Sequence, residues 1–600
     1  MRGPMQKAKL TLLAMLALSG LMAVQSAQAA ENGDATPPKK HKAAAKKPAG
    51  PTVEQQIQAL HDQMQSQIDA LKAELADRDA KLQAAQAASA AAASQAAAAA
   101  SSAQAAAASA ASNSDAVNNL QGAVADIKTT TTTVQTQQAE LKKSIEEPLA
   151  IHYKGVTLTP SGFLAAETVW RQRGIEGDIN TQFSGIPYSG IAAGHLSEWN
   201  ASGRQSRIGL LAEGKNNAWT YRGYYEADWL SAGVTSNDNQ SNSYTLRQRQ
   251  LWAQAQSDGG WYFTGGQMWS LLTENKDGIL NRTEALPMTI DPQYSTGFVW
   301  ARQEGFRVTK SFGDGFWLAA SAEEPQTLNV GCHTPSSIPA ICSSITYQGA
   351  GNTGGLYDNQ ANYSFNVQPD YIFKGVSQSK FGHYELEGVI ITFRDRYYPN
   401  ATASTPSTAG ALNQTTYGGG IGASGRWDVL NKKVTLGYKA LLGAGVERYG
   451  SSTLAQVTVK PNGALEPLRG GSTLATLEVH PTPRWDVYMN YGFDYAERAV
   501  YQLNGVDYGY GSPNQNTTGC QTETLPTGGL VGTAANCTAD NRAIGEGTVG
   551  YWYRFYKGKA GTLQQGIQYS YAQRSTWQGT GGSPKATDGM VFSSFRYYLP

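Results

Sequence analysis

From about residue 162 onward the chain runs as short segments of alternating apolar and polar residues, separated by connections that are in turn short and long. The segment 219–229 shows the pattern best. Trp219, Tyr221, Gly223, Tyr225, Ala227 and Trp229 share one face of an extended strand, and Thr220, Arg222, Tyr224, Glu226 and Asp228 share the other. The buried face of a water-soluble sheet is mainly aliphatic. This one carries Trp and Tyr near both ends of a stretch about as long as a tilted strand needs to cross a bilayer, ~9–11 residues. Such a face belongs against lipid, with its opposite face against water. Unpaired strand edges have no hydrogen-bond partner in hydrocarbon, so the sheet must close. The pattern predicts an all-β transmembrane barrel with a polar lumen, occupying 151–600.

Sixteen antiparallel strands are expected, near 162–172, 204–213, 218–230, 244–256, 260–268, 297–310, 315–323, 360–373, 381–394, 417–428, 433–448, 470–480, 484–497, 545–556, 562–574 and 588–599. The connections after the first, third, fifth and later odd strands are long, such as 173–203, 269–296, 324–359 and 498–544. Those between are tight, such as 214–217, 257–259, 311–314, 429–432 and 481–483. Outer-membrane barrels have short periplasmic turns and long outer loops, and an even strand count leaves both chain ends in the periplasm. In the last strand Val591, Phe595, Tyr597 and Leu599 share a face on which Ser593 alone is polar. The chain ends Leu599-Pro600, a departure from the aromatic terminus common in such barrels.

Three regions are expected before the barrel. Residues 1–29 read as an export signal: Arg2, Lys7 and Lys9 precede an apolar run from Leu10 to Val24, and Ala27-Gln28-Ala29 supplies small residues for cleavage. Residues 30–51 form a Pro/Lys/Ala-rich basic tether, expected to be disordered, whose lysines offer contact with the anionic peptidoglycan or lipid headgroups. Residues 52–147 are expected to form an α-helical coiled coil with an Ala-rich middle. A first stripe runs Ile57, Leu60, Met64, Ile68, Leu71, Leu75, Leu82, and a second, at strict 3-4 spacing, runs Val117, Leu120, Val124, Ile127, Thr131, Val134, Gln138, Leu141, Ile145. The threonine run 129–133 has poor helix propensity, so this stretch is expected to depend on partner helices.

Composition changes little. A mean hydropathy of -0.40 is compatible with a barrel, which shows lipid only every second residue. A net charge of +1 excludes a strongly polyanionic partner for the chain as a whole. The four cysteines fall in two close pairs, Cys332 with Cys342 and Cys520 with Cys537, each inside a long connection. In an exported chain these read as disulfide staples of outer loops. The alternative, a metal site, would have no CxxC and only His333 nearby.

No GxSxG or HExxH occurs, and the histidines are scattered, so no catalytic residue, metal site or cofactor is expected. Gly418–Gly420 with Gly422 lies in a strand and reads as close backbone packing. What stands out are charges on the water-facing side: Arg222, Glu226 and Asp228, with Arg207 on the preceding strand and Arg247 and Arg249 on the following one. Arginine facing lipid at a barrel's midplane costs ~2–4 kcal/mol, which places these in the lumen. The third long connection carries Glu274, Asp277, Arg282, Glu284 and Asp291. Folded inward, it would oppose acids to the arginine ladder and set a transverse field that sorts small polar solutes. The competing reading is that these residues form salt bridges that stiffen the wall.

The stretches Ser202-Gly203-Arg204-Gln205-Ser206-Arg207-Ile208-Gly209, Leu246-Arg247-Gln248-Arg249-Gln250 and Gly265-Gly266-Gln267-Met268-Trp269, after a signal and a coiled coil, resemble the DcaP-like trimeric porins. The resemblance covers the coiled coil and the first half of the barrel best. It implies a homotrimer of sixteen-stranded barrels in the outer membrane of a Gram-negative-type cell, with periplasmic N-terminal helices, an inward-folded third loop and passive uptake of small hydrophilic solutes. It further implies that wall arginines, here Arg207, Arg247 and Arg249, favour small organic anions. Two readings compete: an outer-membrane barrel hydrolase, and an adhesin or structural protein tethering the outer membrane to the cell wall. No nucleic-acid partner is implied.

Overall fold

The computed structural model describes residues 124–135, 150–232, 244–328, 330–334, 341–347, 364–402, 404–523 and 536–600. The signal, the tether and all of 52–147 apart from 124–135 lie outside them. Residues 124–135 are helical, with Val124 and Val134 exposed. The threonines that disfavour a helix here bind back to it: Thr129, Thr130 and Thr133 Oγ1 donate to the carbonyls of Ala125, Asp126 and Thr129 at 2.8, 2.8 and 2.9 Å.

Among the described residues sixteen antiparallel strands form a closed barrel. In chain order they are β1 Val156–Arg171, β2 Arg207–Asn216, β3 Trp219–Ala232, β4 Tyr244–Ser257, β5 Trp261–Trp269, β6 Arg302–Ser311, β7 Phe316–Glu323, β8 Asp370–Ser379, β9 Gly382–Tyr397, β10 Leu412–Val429, β11 Val434–Ala444, β12 Arg469–Thr482, β13 Trp485–Ala496, β14 Asn541–Gly558, β15 Gly561–Thr576 and β16 Lys585–Tyr598. Closure runs through β1. Its first half pairs with β2 (Val156↔Gly214 to Phe163↔Arg207) and its second half with β16 (Phe163↔Tyr598 to Arg171↔Met590). The edges this offset frees are covered in part by the short strands Ile151–Tyr153, against Val156–Leu158, and Glu198–Ser202, against Glu167–Arg171.

The expected strands overlap the observed ones one for one, with the largest differences at the starts of the first (Val156 rather than 162), sixth, eighth and tenth (Leu412 rather than 417) and at the end of the eighth (Ser379 rather than 373). The eighth begins at Asp370 rather than near 360, directly after Pro369, which has no N–H for the ladder. The sixth begins at Arg302. Residues 297–301 belong to the preceding connection, where the Trp300 N–H donates to the Tyr449 carbonyl at 2.9 Å.

The wall is inverted relative to a soluble barrel. Leu164, Ile208, Phe306, Phe373, Leu386, Ile421 and Tyr491 face outward, with Trp219, Trp261, Phe381 and Trp485 exposed beside the periplasmic turns. Inward positions are polar and buried, Glu167, Arg249, Lys374, Glu385, Asn490, Gln568 and Arg596 among them. In β3 the alternation holds from Trp219 to Glu226. A register shift between Glu226 and Ala227 then buries Ala227 instead of leaving it on the lipid face, and brings Arg247 and Arg249 to the lumen side of β4, where Gln250 already stands opposite Glu226. Ser593, the polar residue on the outer face of β16, is satisfied by Thr168 across the seam, Oγ to Oγ1 at 2.7 Å. The glycines of β10 act as expected: a Cβ on Gly418 would lie 2.9 Å from the Phe393 ring, and one on Gly420 2.8 Å from Val446.

Both cysteine pairs are disulfides within long connections, Cys332–Cys342 and Cys520–Cys537. The first is pinned to the connection before β14 by His333 Nδ1 and Asp540 Oδ2, 3.0 Å apart.

Candidate functional site

The third long connection, residues 270–301, enters the lumen and is tied to the inner wall on opposite sides. On the side of β7, β8, β9 and β11, Lys374 Nζ donates to the Thr273 carbonyl at 2.7 Å and Lys439 Nζ donates to that of Leu272. There the carboxylates of Glu323 and Glu385 accept the N–H groups of Leu271 and Asn275 at 2.8 and 2.9 Å. On the side of β13 to β15, Gln568 Oε1 accepts the Ile290 N–H at 2.6 Å and the Thr289 hydroxyl at 2.9 Å. Asn490 Nδ2 donates to the Met288 carbonyl at 2.7 Å, and Glu546 accepts the Thr296 N–H at 3.2 Å. The loop's exit lies flat on the wall because two glycines allow it. A Cβ on Gly492 would sit 1.7 Å from the Thr296 carbonyl oxygen, and one on Gly297 (φ 79°) 1.9 Å from that of Thr473.

The arginine ladder is built from β2, β3 and β4, and its carboxylate partners stand on β3. Arg249 Nε and Nη1 donate to Glu226 Oε1 at 2.6 Å and Asp228 Oδ2 at 2.8 Å. Arg247 engages both oxygens of Asp228, at 2.9 and 2.8 Å. Arg207 lies 3.7 Å from Glu226, and its guanidinium lies 5.3 Å from the Phe163 ring. Arg222 stands apart near the periplasmic turns, held by Glu213 at 2.5 Å. Here the salt bridges and the ladder are one object.

Among the described residues no carboxylate of the loop forms an ion pair with a ladder arginine. Glu274 is buried on the far side, near Glu385, Arg426, Lys439 and Lys374; burial first and the Glu385 carboxylate second push its carboxyl up to about 8. Asp291 is fully buried, accepts the N–H groups of Thr181 and Gln293 at 3.3 and 2.8 Å, and is carried up to about 6 by burial. Glu284 accepts the Arg282 N–H at 3.2 Å, Arg282 covers the Tyr224 ring at 4.7 Å, and Asp277 is exposed in the lumen. The contact that does join loop to ladder is Arg249 Nη2 to the Tyr294 hydroxyl, at 3.4 Å.

Among the described residues one seryl–histidyl–carboxylate grouping of side chains occurs: Glu385 accepts from Ser424 Oγ at 3.0 Å and lies 3.0 Å from His383 Nε2 and from Lys374 Nζ. The carboxylate stands between serine and histidine, so the histidine has no proton path to the hydroxyl, and the order is wrong for activating a nucleophile. It is part of a buried ion cluster with Glu387 and Lys439, 2.5 Å apart.

Beneath the loop, towards the short turns, the described residues line an open cavity of about 490 Å³. Four cations, Arg207, Arg554, Lys557 and Arg596, line it together with Phe163, Trp552 and Tyr598. Three carboxylates attend those cations: Glu226 on Arg207, Asp486 on Arg554, and Glu167 on Arg596 at 2.7 Å. Since Glu226 is shared with Arg249, at least one positive charge is left in excess. The sequence reading missed Arg554, Lys557, Arg596 and Gln568; alternation alone places Arg554, Arg596 and Gln568 in the lumen, whereas Lys557 borders the cavity only past a register shift between Arg554 and Tyr556. What alternation cannot supply is which of them a loop thirty residues long will touch.

No family model matches the chain, and no curated protein matches it. Among solved structures, the chain is similar to the outer membrane channel DcaP of Acinetobacter baumannii, at 13% identity over 74% of this chain and 99% of that one, TM-score 0.49. It is also similar to OprB of Pseudomonas putida (10% identity, 73% and 94% covered, TM-score 0.39) and to an anion-selective porin from Comamonas acidovorans (9%, 74% and 100%, TM-score 0.37). The functional reading rests on the barrel's own geometry.

Proposed function

We propose that this chain is a DcaP-like outer-membrane porin, a water-filled channel through which small hydrophilic solutes diffuse down their gradient, with preference for small organic anions. The observation that carries this is the inward loop 270–301, which narrows a polar-walled closed barrel above a cavity with at least one excess positive charge. A narrow passage with an excess cation admits an anion at lower electrostatic cost than a cation of equal size. Lys557, which has no carboxylate partner among the described residues, and Arg207, whose carboxylate is 3.7 Å away, are assigned the main share of that preference. Arg247 and Arg249 belong to the constriction as its rigid wall.

The remaining assignments follow from the same reading. What supports a homotrimer is the resemblance of the sequence and the exposed Val124 and Val134 of helix 124–135, a face that identical helices would cover. An even strand count with short turns on the side of the chain ends supports a periplasmic N-terminus, where the basic tether 30–51 has the anionic cell wall within reach.

Reversal potentials in planar bilayers under a KCl gradient, then with potassium salts of mono- and dicarboxylates, test the function. Anion preference is expected. A protein that inserts without conducting, or that prefers cations, overturns the reading.

A further inference from the structure

The outer face of β9 changes character at its extracellular end. Its even-numbered residues face outward: Tyr384, Leu386 and Ile390 are exposed, while the odd-numbered Glu385, Val389 and Phe393 are buried inward. Counting from the exposed Phe381 at the periplasmic turn, roughly ten residues carry a tilted strand across an apolar band ~25 Å tall. The outward positions just beyond that band are Arg394 and Arg396. The register confirms their direction: Thr392 lies opposite the outward, exposed Tyr417, Arg394 opposite Thr415 and Arg396 opposite Asn413. Two arginines on the outer wall at this height sit at the level of the outer leaflet's headgroups, and neither has an ion-pair partner among the described residues. Arg396 Nη1 donates to Asn413 Oδ1 at 2.9 Å and its guanidinium lies 5.3 Å over the Tyr398 ring, which orients it without neutralising it. Asp395, between them in sequence, is buried and borders the same cavity as they do, one carboxylate against the two guanidinium groups.

The two arginines border a cavity of about 610 Å³ formed between the outer wall and the segment before β8, together with Asn366, Phe365 and Tyr398. Both polar atoms of the Asn366 amide are buried without a hydrogen-bond partner. A buried amide left unpaired costs free energy that a ligand able to donate and accept would recover. We propose that this cavity is a binding site for a phosphorylated glycolipid of the outer leaflet. Its phosphate is held by Arg394 and Arg396, a sugar hydroxyl engages the Asn366 amide, and an acyl chain lies along the apolar wall towards Ile390. Guanidinium pairs suit phosphate because their planar N–H forks match its oxygens, and Phe365 and Tyr398 supply the flat apolar faces that sugar rings pack on.

The inference rests on the outer-membrane placement above, and its test separates the two. The full chain, in mild detergent, is mixed with purified lipopolysaccharide or with the same lipid after phosphatase treatment, and retained lipid is read by native mass spectrometry while a portion is assayed for conductance. The phosphorylated lipid is expected to be retained by wild type and to fall at least about tenfold in Arg394→Gln/Arg396→Gln, in line with ~1 kcal/mol per lost cation at a membrane surface. Lys310→Gln, at the periplasmic end of the outer face, should retain it as wild type does. Millimolar inorganic phosphate should leave retention unchanged; complete displacement by it would make this a small-anion site and overturn the proposal. Wild-type protein that conducts but retains both lipid forms equally also overturns it, and that arm decides the matter even if the double variant fails to assemble. A wild type that does not conduct overturns the channel reading whatever lipid it holds.

Discussion

Arg596 on the last strand and Glu167 on the first are joined through Nη2 and Oε1 at 2.7 Å, both buried, directly across the seam that closes the barrel. Ser594 Oγ donates to the same carboxylate at 2.8 Å, and Gln205 accepts a further guanidinium N–H at 2.7 Å. Glu167→Gln should remove the countercharge and leave Arg596 buried without it. A loss of about 3 kcal/mol is expected for breaking one partner of a buried pair. The drop should be visible as a lower midpoint of urea unfolding in detergent, with strand content unchanged below it. An unchanged midpoint would show that the seam is held by its backbone ladder alone.

Selectivity should divide the arginines into two groups. Arg249 is spoken for by Glu226 and Asp228 and sealed from the lumen, so Arg249→Ala is expected to lower stability while shifting the reversal potential little. Lys557→Ala and Arg207→Ala remove the weakly compensated cations of the cavity and should move the reversal potential towards zero. If Arg249→Ala shifts the potential and Lys557→Ala does not, the ladder is the selectivity element after all.

Gln568 fastens the loop to the wall through Ile290 and Thr289, and its oxygen also accepts the Tyr488 hydroxyl at 2.9 Å. Gln568→Leu strands three buried donors at roughly 1–3 kcal/mol each. The loop should then sample positions away from β15. Single-channel records are expected to show a higher mean conductance with open-channel noise absent from wild type.

Alkaline pH should loosen the same loop from its other side. The folded value of Glu274, about 8, lies above the ordinary carboxyl value, ~4.3 in an unfolded chain, so the folded form holds the extra proton. The stability this gives is complete below ~4.3 and is lost as pH rises through about 8, when a second charge appears beside Glu385. Conductance noise should therefore rise above about pH 8 in wild type, and Glu274→Gln should keep the quiet level at pH 9. Identical pH profiles for the two proteins would place the titration elsewhere.

Much of the architecture was legible from period-two patterning, because lipid and water on the two sides of one strand impose opposite demands on neighbouring side chains. Trp219 to Glu226 alternates faultlessly, the long and short connections fall where the sequence placed them, and the cysteine spacing pointed to the two staples that formed. The pattern also put Arg207, Arg247 and Arg249 in the lumen. It erred at Ala227, because a register shift is a property of two paired strands and leaves no mark in one.

The partners of those arginines, and the course of residues 270–301 across the lumen, were decided only by the tertiary structure. Glu226 and Asp228 had been read as neighbours of the ladder and the loop acids as its opponents. Closing the barrel set the former at 2.6–2.8 Å from Arg249 and carried Glu274 to the lysines of β8 and β11. A strand's faces follow from its own residues, since each side chain answers to the medium beside it. An ion pair or a loop anchor depends on two distant segments meeting, and that distance exists only once the sheet has closed.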